Sequence, residues 1–123
     1  MDWKLELVIL PVSDVDRAKA FYADQVGFNA DHDQRVNADL RFVQLTPPGS
    51  PCSIAFGTGL VDTEPGSVAG LQIVVGDVAQ ARAELVDRGV EVSEVEVLAW
   101  GSFVRFSDPD GNRWTLQQLP VRT

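Results

Sequence analysis

The chain has one histidine and one cysteine, so any chemistry built on imidazole or thiol must run through His32 or Cys52. A nucleophilic cysteine needs a base within reach, and no recognisable spacing ties Cys52 to His32 or assembles a Ser/His/Asp set. A single cysteine also excludes an internal disulfide and a CxxC-type zinc or redox site. Cys52 is therefore expected to act as a small apolar residue rather than a reactive thiol, and His32 as an exposed strand or turn residue. The carboxylates Glu6, Asp31, Asp33 and Asp39 do not form a ligand-spaced set, and a divalent cation needs about four donors drawn from such groups and water. No catalytic residue, metal ligand set or cofactor is assigned on these grounds. The informative side chains are others. Trp100 and Phe103 offer rings that could stack on a flat or cationic ligand, or pack in a core or dimer contact. The guanidinium of Arg105 would either hold an anionic or carbonyl-bearing ligand through charge-assisted hydrogen bonds or pair with an acidic neighbour.

Ten basic against eighteen acidic residues give a net charge of −8. That argues against nucleic acid as a partner, because phosphate binding depends on clustered Lys and Arg. An acidic surface would attract a cationic small molecule or simply maintain solubility. No apolar run approaches the roughly 20 residues that a membrane helix requires, and Met1-Asp2-Trp3-Lys4 does not open a signal peptide. The expectation is a cytoplasmic protein with neither membrane nor nucleic-acid partners, folded as a single domain over residues 1–123.

The elements that must position these side chains are written twice. Leu5 to Val12 is a mostly apolar run of strand length ending at Ser13-Asp14, which are helix N-cap types. Val15, Ala18, Phe21, Tyr22 and Val26 then mark one apolar helix face, closed by Gly27. The phrase returns at Leu71–Val75, Gly76-Asp77, the apolar face Val78, Ala81, Leu85 and Val86, and the closing Gly89. Asp14 and Asp77 are 63 positions apart, and Gly27 and Gly89 are 62. Two hairpins follow the same offset: residues 41–45 lead through Pro47-Pro48-Gly49 into 52–56, and residues 103–106 lead through Pro109-Asp110-Gly111 into 114–116. Weaker strands are expected near Asn29–His32 and Glu91–Val97. Module one thus spans about 4–57, an exposed connection about 58–69, and module two about 70–119. The predicted fold class is α+β: two βαβββ modules joined into one curved mixed sheet with a concave cleft, helices on the outer face.

A paired βαβββ repeat carrying Val12-Ser13-Asp14-Val15 through Phe21-Tyr22, Gly27-Phe28, Val75-Gly76-Asp77-Val78, Arg88-Gly89-Val90 and Phe106-Ser107-Asp108-Pro109-Asp110-Gly111-Asn112 resembles the vicinal oxygen chelate superfamily, also called glyoxalase/bleomycin-resistance/dioxygenase. The resemblance covers essentially the whole chain. It implies metal ligands (His, Gln or Glu) on the first and last strand of each module. Counting from the matching motifs puts Leu7, Gly70, Ser53 or Ala55, and Thr115 at those positions, which make no metal site. It also implies a concave face; strand alternation aims Leu7 and Ile9, Gln72 and Val74, Phe103 and Arg105, and Arg113, Thr115 and Gln117 into it, with Trp100 closing one end. A few polar groups converging in an apolar cleft suit a small molecule. The expectation is a metal-free small-molecule binding protein of the glyoxalase/bleomycin-resistance type, a homodimer that sequesters an antibiotic or metabolite. Two alternatives stay open: a lyase, isomerase or dioxygenase-like enzyme with an atypical site such as His32 with Asp31 or Asp33, and a non-catalytic interaction module whose concavity is filled.

Overall fold

The computed structural model describes residues 1–121. Its order is β1 (Leu7–Ile9), α1 (Val15–Ala20) running on into a wider π-helical turn (Phe21–Val26), β2 (Asn29–Asn37), β3 (Leu40–Thr46), β4 (Ser53–Thr58), β5 (Leu71–Val74), α2 (Val78–Asp87), β6 (Glu96–Leu98), β7 (Gly101–Ser107) and β8 (Arg113–Gln118). Local chemistry sets the boundaries. Asp14 and Asp77 are extended N-cap residues whose carboxylates accept from Arg17 N and Gln80 N at 3.1 and 3.0 Å. The π-helical turn ends at Gly27 with a left-handed φ of 91°, and both Gly27 N and Phe28 N donate to Tyr22 O.

The two halves have one topology. In the first sheet the strand order is β1-β4-β3-β2, in the second β5-β8-β7-β6. In each, the first strand runs parallel to the last and the remaining pairs are antiparallel. This is the duplicated βαβββ module expected from the sequence. The structure shows two four-stranded mixed sheets, with β1 and β5 each at an edge and no ladder between them among the described residues. Two strands differ from expectation. β2 extends five residues beyond His32, to Asn37. It is exposed throughout and is held by its hairpin with β3, whose turn is tightened by Asp39 N donating to Asn37 Oδ1. β6 is confined to Glu96–Leu98, while Glu91–Val95 is irregular and touches β7 through Ser93 N to Arg105 O and Arg105 N to Ser93 Oγ.

One core serves both modules. It contains Leu10, Val43, Leu45, Ile54 and Phe56 from the first sheet, Val104, Phe106, Trp114 and Leu116 from the second, and Ala18, Phe21, Tyr22, Val78 and Leu85 from the helical segments. The helices thus cover the face of each sheet opposite the predicted cleft. Tyr22 sits between the sheets, its ring centroid 5.8 Å from both Phe56 and Trp114. Its hydroxyl donates to Asp108 Oδ2 at 2.7 Å and accepts from Trp114 Nε1 at 2.9 Å. The Asp108 carboxylate also accepts from Asn112 Nδ2 and from the backbone N–H groups of Asp110, Gly111 and Asn112, while Asn112 Nδ2 reaches back to Pro11 O at 3.0 Å. The Asp-Pro-Asp-Gly-Asn turn of module two is therefore bolted to the strand and helix of module one. Burial, with Asp108 beside it, pushes the Tyr22 phenol far above its ordinary pKa.

Candidate functional site

Strand alternation sends Val104, Phe106, Trp114 and Leu116 into the core, so their neighbours occupy the opposite face of the second sheet. Cross-strand register then assembles two rows on that face. Gln72, Thr115 and Arg105 form one, and Val74, Gln117 and Phe103 the next. Arg113 lies opposite Ser107 in a third. The structure therefore brings together Gln72, Phe103, Arg105, Arg113 and Thr115, all named from the sequence. Gln72 Nε2 donates to Gln117 Oε1 at 2.6 Å, and Gln117 Nε2 donates to Trp100 O at 3.2 Å. Phe103 is only 4% exposed although it stands outside the main core cluster. The Arg105 guanidinium lies 6.0 Å from its ring centroid, at the outer reach of a cation–π contact. Trp100, in the β6–β7 turn, is 61% exposed. An open depression of about 550 Å³ is lined by Gly70, Glu91, Arg105, Ser107, Arg113 and Thr115, among others.

Leu7 and Ile9 occupy the equivalent face of the first sheet, paired with Ser53 and Ala55. They are not in the same sheet as the five residues above. A cleft of about 380 Å³ is lined from one side by Leu5, Val8 and Ser53 and from the other by Gly70, Gln72 and Ile73. Near Leu7 the sequence missed a polar cluster: Thr46 Oγ1 donates to Asp31 Oδ2 and lies 2.6 Å from Ser53 Oγ. A bulge between Ala30 and His32 places Asp31 there, and no alternation pattern could have announced it. Hydrogen bonds from Thr46 and then Asn29 hold the Asp31 carboxyl below the usual range.

The register also separates the positions reached by counting. Leu7 pairs with Ser53 rather than Ala55. Leu10 N donates to Ala55 O as Val75 N donates to Gln117 O, so Leu7 corresponds in the sheet to Gln72, the partner of Thr115. Gly70 precedes β5. Counting back from the helix missed this because the strand-to-helix connection is two residues longer in module one. Among the described residues, no three His, Cys, Asp or Glu side chains gather as a metal-binding group. The pairing His32 with Asp33 does not form on one face. His32 lies opposite Gln44, whereas Asp33 turns to the helix side and binds Arg41 Nε and Nη2 and Lys19 Nζ at 2.9–3.0 Å. Those bonds hold Asp33 well below the usual carboxylate range and raise Arg41 above its own.

Residues 4–116 match the model of the Glyoxalase/Bleomycin resistance protein/Dioxygenase superfamily. Among solved structures, TnmS3, an antibiotic binding protein from Streptomyces sp. CB03234, is 36% identical with a TM-score of 0.88, over 97% of this chain and 98% of that one. A glyoxalase/bleomycin resistance protein from the same source is 37% identical with a TM-score of 0.83, over 94% of this chain and 100% of that one. The uncharacterized protein YetH of Bacillus subtilis (strain 168) is 25% identical over 113 residues, covering 90% of this chain and 94% of its own.

Proposed function

Since the chain belongs to the Glyoxalase/Bleomycin resistance protein/Dioxygenase superfamily, we propose that it is a metal-free small-molecule binding protein that sequesters an antibiotic or metabolite, and that it works as a homodimer. The observation that carries this reading is the face of the second sheet turned away from the helices. It combines an apolar floor, Phe103, with neutral and cationic hydrogen-bonding groups at Gln72, Arg105, Arg113 and Thr115, the composition of a small-molecule cleft. The likeness over almost the full chain to an antibiotic binding protein supports it. On the first module, the Asp31 carboxylate is tied to Thr46 and Asn29 and the Asp33 carboxylate to Arg41 and Lys19.

The dimer is supported by what a single chain leaves uncovered. Ile9, Val74, Val97, Trp100 and Leu119 are exposed apolar residues, and β1 and β5 are short edge strands. A second copy laid across these faces would complete the curved sheet and its cleft.

The test is a thermal-shift and calorimetric screen with aromatic antibiotics, alongside sedimentation and metal analysis. Saturable binding at one or two sites per dimer, without metal, is expected. One tightly held metal equivalent per chain, or turnover of a glutathione hemithioacetal or a catechol, would overturn the reading.

A further inference from the structure

The second-sheet face is graded along its strands. Phe103, with Trp100 in the adjoining turn, supplies the apolar end, where the register also sets Glu96 beside Phe103; Arg105, Thr115 and Gln72 come one row further; Ser107 and Arg113 lie beyond. Rows two residues apart are separated by about 7 Å, so the gradient suits a ligand of roughly 14 Å with unlike ends. The cationic end is unusual in a chain of net charge −8. Four arginines elsewhere are engaged: Arg17 with Asp110, Arg41 with Asp16 and Asp33, Arg82 with Glu94, and Arg88 with Glu84. Arg113, by contrast, has no carboxylate within 4.0 Å among the described residues, and Arg105 has only Glu96 at 3.6 Å, both side chains about half exposed. Because Arg105 faces Thr115 and Arg113 faces Ser107, the two guanidiniums are diagonal neighbours lining one depression. Like charges so placed repel, and an anion between them relieves that repulsion. Of the carboxylates around the depression, Asp108 is already saturated by Tyr22, Asn112 and three backbone N–H groups, and Glu91 sits on the irregular segment after α2. The exposed Glu96 pair is weak enough for a ligand carboxylate to replace it.

We infer that the ligand is a flat, elongated molecule with an acidic group at one end, its ring against the exposed Trp100 and its acid between Arg105 and Arg113. This rests on the binding reading above and adds the charge and orientation of the ligand.

Three probes of one shape decide it: 2-naphthoate, neutral 2-naphthamide and 2-naphthylmethylammonium, titrated calorimetrically into the full-length protein. The expected result is that naphthoate binds at least about ten-fold more tightly than the amide, with a preference that falls as salt rises. R105A and R113A each remove the preference, R113K restores part of it, and R35A, on β2, leaves it unchanged; circular dichroism checks that each variant folds. Equal binding of acid and amide, or tighter binding of the ammonium, overturns the acidic-ligand inference while sequestration stands. Failure of all three, together with a blank antibiotic screen, overturns both.

Discussion

Replacing Tyr22 by Phe isolates one hydroxyl at the joint between the modules. The ring stays buried between Phe56 and Trp114, so the apolar contribution is nearly unchanged. Two hydrogen bonds disappear, at 2.7 Å to Asp108 and 2.9 Å from Trp114 Nε1. Asp108 Oδ2 keeps Asn112 Nδ2 at 2.8 Å, so the carboxylate is only partly deprived. The indole N–H loses the one protein acceptor it has and remains in the core, where Trp114 is 3% exposed. A charge-assisted bond contributes about 1.5–3 kcal/mol and an orphaned buried donor costs about 1–3 kcal/mol; because the two estimates overlap in what they count, the expected loss is about 3 kcal/mol. Urea unfolding followed by tryptophan fluorescence measures it as a lower midpoint at constant slope. A loss below about 1 kcal/mol would refute the assignment of this hydroxyl as the joint, since either bond alone should exceed that.

Tyr22 is the only tyrosine in the chain, which makes its ionisation directly visible. Its folded pKa is raised above the unfolded value near 10, so the stability it contributes is complete below about pH 10 and falls above it by about 1.4 kcal/mol per pH unit. Absorbance at 295 nm should therefore show no phenolate until the protein unfolds in alkali; a smooth titration in folded protein would contradict the burial. Asp33 acts in the opposite sense: its folded pKa is depressed by Arg41 and Lys19, so its contribution is present above about pH 4 and is lost as pH falls through the folded value. Asp33→Asn should cost about 1 kcal/mol after allowance for its partial exposure and should flatten stability between about pH 4 and 2, as read by acid titration of the unfolding midpoint. Gly66→Ala should cost more than about 2 kcal/mol, because the residue has φ +80° and an added Cβ would stand 2.0 Å from the Asp110 carbonyl oxygen. A thermal midpoint within a degree of the parent would show that the connection can move away from the turn.

Much of this architecture was legible because the signals are local. Asp14 and Asp77 cap helices by bonding three residues ahead, and Pro47-Pro48-Gly49 and Pro109-Asp110-Gly111 close turns within four residues, so sequence spacing alone records them. The polar face was legible for a related reason: a period of two in β7 and β8 decides which side chains face away from Trp114 and Leu116. What failed to show depends on distance or irregularity. β2 is exposed along its whole length and carries no apolar alternation, so only its pairing with β3 reveals it. The bulge at Asp31 and the extra two residues between β1 and α1 each shift a count without leaving a compositional mark, and the second of them is why Gln72 rather than Gly70 stands opposite Thr115. Phe103 could be assigned a face, but not its near-complete burial on that face.

The division of labour between the two faces of each sheet explains how such a fold can change its chemistry. Stability resides on the helix side, in the shared aromatic core and in the Tyr22–Asp108–Asn112 joint, every buried polar atom of which is satisfied. Leu7, Gln72, Arg105 and Thr115 lie on the other side, and none belongs to that core. Residues on this side can therefore be exchanged at little cost in folding free energy. The face retains its shape because the opposite face fixes the strands. Function on this scaffold is thus set by side chains that the fold does not need.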